Sequence, residues 1–188
     1  MLILVRHGRT DVNAAGCLQG RIDRPLDDVG LEQARQVAAA VGRPDVLIVS
    51  PLLRARQTAA AFGVEATIDE RWQEIAYGEY EGKPLREVSE AEWSIWRTDR
   101  HYTSPGGESL ADLDIRVRAA CEDLLQLARE RTVVVVSHVS PIKAAVAWAL
   151  GVDIMSSSRC QLDQAAVCRI NINDRGPALR TFNEVLHG

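Results

Sequence analysis

Three short stretches carry residues that could act together. Arg6-His7 closes the apolar run Leu2-Ile3-Leu4-Val5, Arg54 comes soon after the run Val46-Leu47-Ile48-Val49, and His138 closes Val133-Val134-Val135-Val136-Ser137. Arginine offers a fixed fork of donors for phosphate oxygens. A neutral imidazole can serve as nucleophile, base or metal ligand. His7 alone leaves two readings open: a reactive ring, or a strand that ends in solvated polar residues. Taken together, the three stretches describe a positive, histidine-containing pocket. Such a pocket suits phosphoryl transfer, where catalysis is mostly positioning and neutralisation of oxygens.

The surrounding pattern must bring these residues to one place. Each apolar run is short and reads as a buried strand of a parallel sheet. Helical spacing follows at Leu31, Ala34, Val37, Ala38 and Val41, with Asp28 as a cap and Gly42 and Pro44 as a stop. Ser50-Pro51 opens a second helix, which carries Arg54, Arg56 and Thr58. Ala66 to Ile68 is a weak third strand, and Arg71 to Gly82 reads as a loop. Pro84 to Arg97 predicts one or two short helices bearing Trp93 and Trp96. Ser109 caps a long helix patterned on Leu110, Leu113, Val117, Cys121, Leu124 and Ala128. Ser140 is a plausible cap for the helix after His138. Ala165 to Ile172 and Ala178 to Phe182 predict a late hairpin at the sheet edge. The alternation gives an α/β fold of three layers, α/β/α, around a mainly parallel, mixed sheet. Ligands of such sheets lie beyond the strands' carboxyl ends, where His7, Arg54 and His138 all fall.

The totals set limits. The 188 residues fit one domain, 1–188, with a small helical cap at about 84–105. Hydrophobic residues are 46%, enough for a real core, and a net charge of −4 leaves no basic footprint for nucleic acid. No run is long enough for a membrane span or a secretory signal. Cys17, Cys121, Cys160 and Cys168 lack metal-type spacing and read as free thiols, which makes the cytoplasm the default location. No metal cluster or cofactor motif is visible, and the partner expected is a small phosphorylated molecule. A homo-oligomer is compatible with all of this.

Several motifs then carry a resemblance. Arg6-His7-Gly8, Gln19-Gly20 with Asp23 and Pro25-Leu26, and Gly30 with Gln33-Ala34 come first. Ser50-Pro51-Leu52-Leu53-Arg54-Ala55-Arg56-Gln57-Thr58 follows, then Glu74-Ile75-Ala76-Tyr77-Gly78 with Glu81-Gly82. Gly106-Gly107-Glu108-Ser109 and Ser137-His138 complete the series. In this order they resemble the histidine phosphatases, the phosphoglycerate mutase-like superfamily, over most of the chain. The resemblance implies His7 as a nucleophile that carries a transient phosphohistidine. Arg6, Arg54 and His138 would hold the phosphoryl oxygens, and Glu74 would act as general acid and then base. Asn13 and Gln19 are candidates for touching substrate, with plain loop hydrogen bonding as the alternative. Thr58 reads as a helix residue that helps position Arg54, with direct ligation as the alternative, and Arg21 as a rim or surface charge. Arginines would supply the charge that a metal supplies elsewhere.

Two positions depart from the family pattern. Arg9 stands where the family commonly has Glu, and Val139-Ser140-Pro141 follows His138 where it usually has glycines. Tyr77 to Gly82 resembles the phosphatase branch, so the expected activity is phosphomonoester hydrolysis. A phosphoglycerate mutase-type transferase is the alternative, and a non-catalytic phosphate-binding module a more distant one. Substrate choice is expected from Pro84 to Tyr102, through Trp93, Trp96, Arg97, Arg100, His101 and Tyr102, unless Trp93 and Trp96 simply pack their helix on the core.

Overall fold

The computed structural model describes residues 1–185, so the last three residues of the expected 1–188 domain lie outside it. Six strands form one sheet: β1 (Leu2–Arg6), β2 (Val46–Val49), β3 (Thr67–Ile68), β4 (Val133–Ser137), β5 (Val167–Asn173) and β6 (Gly176–Glu184). Their order is β3-β2-β4-β1-β5-β6. The first four run parallel, and β5 pairs antiparallel with both β1 and β6. The mixed sheet and the edge hairpin match the expectation from sequence.

Strand alternation builds the layers. Leu2, Leu4, Val133 and Val135 point to one face, against Leu113, Val117 and Ile142. Ile3, Val5, Val134 and Val136 point to the other, against Val37, Ala55 and Ala59. The first face is covered by α5 (Leu110–Glu130) and α6 (Val139–Leu150), the second by α2 (Asp28–Val41) and α3 (Leu53–Ala60). With both faces covered, the central strands have no polar side to present, which is why they read as unbroken apolar runs. Among the described residues no helix is long and apolar enough to cross a membrane.

Three helix starts differ from expectation by one to three residues: α3 begins at Leu53 with Leu52 as its N-cap residue, so Ser50-Pro51 lies ahead of the helix rather than opening it. Asp27, not Asp28, caps α2, its carboxylate accepting from the Gly30 N–H. His138, not Ser140, is the N-cap residue of α6, so Ser140 lies inside the first turn. Ser109 caps α5 as expected. In the 84–105 segment a 3-10 turn, Leu85–Glu87, precedes α4 (Glu90–Thr98), which opens with a reciprocal Ser89–Glu92 capping box.

Two glycines let the first loop cross the start of α2. A Cβ on Gly8 would lie 2.3 Å from the Gly30 carbonyl oxygen, and one on Gly30 would lie 2.0 Å from that of Arg9. No side chain fits at either position without moving backbone. The crossing carries α1 (Asp11–Ala14), capped by Thr10, over the end of β1.

Candidate active site

His7 directly follows β1, and its backbone still bonds to Ser137 and Ala165. Its ring is 3% exposed. Nδ1 lies 2.7 Å from the Gly8 carbonyl oxygen, which can only accept. That contact places the ring proton on Nδ1. On the other side, Arg54 Nε donates to His7 Nε2 at 3.1 Å. Nε2 therefore carries a lone pair and faces the cavity's arginine. Burial, then Arg54 and Arg6, hold the imidazole well below its ordinary pKa, against a smaller upward pull from the Gly8 carbonyl.

Arg54 is fixed from three directions. Its Nη1 and Nη2 donate to the carbonyls of Ile22 and Gly20 at 2.9 and 2.7 Å. Burial pushes its guanidinium pKa down to about 10, with Glu74 and Asp23 pulling it up and Arg6 pushing it down further. Thr58 donates to the Arg54 carbonyl and accepts from the Gly8 N–H, tying α3 to the loop after β1. Thr58 thus sits between the Arg54 backbone and the loop that carries His7. Arg6 donates to the Leu162 carbonyl at 2.6 Å, while its buried Nε has no partner.

His138 is fully buried with its ring centroid 5.1 Å from that of His7. Its Nε2 is 2.6 Å from the Ser50 hydroxyl, and its Nδ1 is buried without a partner. Burial, then Arg54 and His7, hold this ring also well below the ordinary pKa. A neutral ring whose Nε2 accepts from Ser50 would offer Nδ1–H as a donor. Ser50, read from sequence as part of a motif and a helix start, is instead the hydrogen-bond partner of His138.

Glu74 lies on the loop leading away from a 3-10 turn, Glu70–Trp72. Ser137 Oγ donates to the Trp72 carbonyl and fixes that turn against β4. Glu74 Oε1 accepts from the N–H groups of Ile75 and Ser140, and Oε2 from that of Val139. The N–H groups of Val139 and Ser140 belong to the first turn of α6, where amides lack intrahelical partners. The unusual Val139-Ser140-Pro141 sequence thus spends its free amides on Glu74. Arg21, expected at the rim, supports the same loop by donating to the Glu74 carbonyl and to Glu108.

A cavity of about 510 Å³ brings Arg6, His7, Asn13, Gln19, Arg54 and Glu74 together. Asn13 also accepts from the Thr10 N–H and Gln19 from the Thr10 hydroxyl, so both loop bonding and cavity lining hold for them. Arg9 does not line the cavity; it pairs with Asp27 at 2.8 Å and ties the loop to the start of α2. The expected wall from Pro84 to Tyr102 is partly corrected. Trp93 and Arg97 line the cavity, but Arg100 is turned away toward Asp114 and Asp153. His101 is exposed, and Tyr102 packs edge-on against Trp96. Sequence reasoning missed Lys143 on α6, together with Ser158 and Gln164, on the remaining wall.

The two depressed histidines have a measurable consequence. Below about pH 6.5 an unfolded chain binds protons that the folded chain refuses at His7 and His138. Stability therefore falls as pH falls. Each ring contributes up to about 1.4 kcal/mol per pH unit while it stays neutral. Denaturant midpoints should change little between pH 7.5 and 6.5 and then fall toward pH 5.5, and a His7→Asn/His138→Asn double variant should flatten the dependence. An unchanged slope in the double variant would show that other groups carry it.

A family model described as the histidine phosphatase superfamily (branch 1) matches residues 2–185. Phosphoserine phosphatase 1 of Hydrogenobacter thermophilus is 33% identical, with 99% of this chain and 93% of that protein aligned. Probable phosphoglycerate mutase GpmB of Enterobacter sp. (strain 638) is also 33% identical, over 91% of this chain and 84% of that protein. A phosphoserine phosphatase mutant from Entamoeba histolytica, solved in complex with phosphoserine, superimposes with a TM-score of 0.89 at 29% identity. That match covers 98% of this chain and 96% of the other.

Proposed function

This chain belongs to the histidine phosphatase superfamily, and we propose that it hydrolyses a small phosphorylated metabolite through a phosphohistidine on His7, with Glu74 as general acid and base. The observation that carries the reading is the state of His7. Its Nδ1 is committed to the Gly8 carbonyl, and its Nε2 meets the Arg54 Nε at 3.1 Å. A lone pair on Nε2 is what attack on phosphorus requires. Because burial and two arginines oppose protonation, the nucleophile stays available across the neutral range.

In the first step Nε2 attacks phosphorus and the ester oxygen leaves. Arg6, Arg54 and the Nδ1–H of His138 neutralise the equatorial oxygens as charge spreads over them. Asn13 and Gln19, on the same cavity wall, orient the phosphoryl group. Glu74 delivers a proton to the departing alkoxide. Its Oε2 accepts one backbone bond and Oε1 two, so Oε2 has the more open lone pairs and is the oxygen to carry that proton. In the second step the same carboxylate takes a proton from water, which attacks the phosphohistidine and releases phosphate. Two arginines provide the charge compensation that a divalent cation provides in other phosphoryl-transfer sites. We place the enzyme in the cytoplasm.

Phosphate release from a panel of small monoesters, measured with EDTA present, tests this reading. We expect turnover that EDTA does not diminish. No release from any ester, with phosphoryl exchange between phosphoglycerates in the presence of a bisphosphate primer, would replace it with a mutase.

A further inference from the structure

A second chamber opens beside the phosphoryl pocket. It has a volume of about 170 Å³, against about 510 Å³ for the main cavity. The two share walls at Tyr77, Trp93, Arg97, Val139, Lys143 and Ser158. Beyond these, Ile75, Trp96 and Leu110 give the side chamber an apolar lining, to which Ser140 and Ser157 add hydroxyls. An apolar cavity of about 150 Å³ accommodates a benzene ring. The side chamber is therefore large enough for one ring or a branched chain of similar bulk. A phosphoryl group held by Arg6, His7 and Arg54 has no use for it.

Lys143 lines both chambers. Its neighbours on α6, Ile142 and Ala144, are fully buried, and Lys143 itself is half-buried in the wall the two chambers share. Arg97, on the same wall, is already held by Glu90. Among the described residues no carboxylate lies within the 4.0 Å ion-pair distance of the Lys143 ammonium. Glu74 is near enough to influence it but lies beyond ion-pair distance. Burial pushes the Lys143 pKa below its ordinary value, with Cys160 and Glu74 pulling it back up. A half-buried cation without a counter-ion is costly until an anion joins it.

We infer that the alcohol part of the substrate carries a carboxylate-like anion, bound by Lys143, and a ring-sized apolar group, seated between Trp93, Trp96, Ile75 and Leu110. This deepens the phosphomonoesterase reading and rests on it. A three-carbon phosphorylated acid would meet Lys143 and leave the side chamber unfilled. A ring-bearing phosphorylated acid uses both. Edge and face contacts with the indoles favour an aromatic ring over an aliphatic one of equal size.

The test uses four phosphomonoesters: a three-carbon chain and a benzyl frame, each bearing a carboxylate or the carboxamide of the same shape. In the wild type the benzyl carboxylate should have the highest kcat/KM. Lys143→Met should lower the carboxylate-to-carboxamide ratio by about 10- to 100-fold, the range for a charge-assisted hydrogen bond. Lys143→Arg should restore most of that ratio. Should the Met variant fail to fold, Lys143→Gln serves the same comparison. Ser157→Phe, which fills the side chamber, should lower the benzyl-to-three-carbon ratio. Equal losses on carboxylate and carboxamide in the Lys143 variants would mean that the lysine serves the phosphoryl machinery and would overturn the inference. So would a wild type that ranks the four esters alike. Hydrolysis of none of them, nor of p-nitrophenyl phosphate, would overturn the phosphatase reading itself and this inference with it.

Discussion

His7→Ala loses about 10⁴- to 10⁶-fold in kcat, the range seen when a covalent nucleophile is deleted from a working site. The size follows from what remains. Arg6, Arg54 and His138 do not depend on the His7 ring for their placement. Arg54 keeps its bonds to the Gly20 and Ile22 carbonyls, and His138 keeps Ser50. The variant should therefore still bind a phosphomonoester, and calorimetry should detect that binding while turnover is gone. Loss of binding together with turnover would point to a collapsed pocket. Retention of more than about a hundredth of the activity would mean that another group attacks, because bound water without a nucleophile does not reach that rate.

Glu74→Gln separates the two halves of the reaction. A poor leaving group such as an alkoxide needs the proton that Glu74 supplies, so kcat on alkyl phosphates should fall about 10²- to 10⁴-fold. The nitrophenolate of p-nitrophenyl phosphate leaves without help, so phosphorylation of His7 proceeds. Hydrolysis of the phosphoenzyme, which needs Glu74 as base, then becomes slow. The variant should show a burst of one nitrophenolate per enzyme followed by a slow steady state. The glutamine amide also meets the Val139 and Ser140 N–H groups, which now face the carboxylate, and one of those contacts must open. That adds a modest loss common to both substrates. An equal, large loss on both classes without a burst would remove Glu74 from acid-base chemistry and leave it as a brace for α6.

Much of this site is legible along the chain because the candidate catalytic residues sit where patterns change. β1 and β4 are apolar on both faces, and each ends abruptly at a histidine. Parallel order then carries both ends to one rim, and α3 follows β2 to the same rim with Arg54. What the sequence hid depends on partners far away in the chain. Arg100 looked like part of a substrate wall, but Asp114 and Asp153 draw it to the opposite side. Lys143 is a single charged residue in the otherwise mainly apolar helix α6, and no motif marks it. Its place in the site depends on Ser158 and Gln164, more than a dozen residues later, closing the wall beside it. Asp28 and Asp27 are adjacent and share capping chemistry, so only backbone angles show that Asp27 is the cap. His138 takes the N-cap place of α6 by its extended backbone alone, without a side-chain cap bond, which Ser140 two residues later gives no sign of. Arg21 was read as a rim charge because nothing local links it to Glu74 and Glu108, 53 and 87 residues away.

The most direct test of the central claim is to mix the enzyme with ³²P-labelled p-nitrophenyl phosphate and stop the reaction in alkali within milliseconds. We expect label bound to protein, approaching one phosphoryl group per chain in the Glu74→Gln variant. The label should be stable in alkali, labile in acid, and absent from His7→Ala. Turnover with no labelled protein at any time, or an acid-stable label that persists in His7→Ala, would contradict a phosphohistidine on His7.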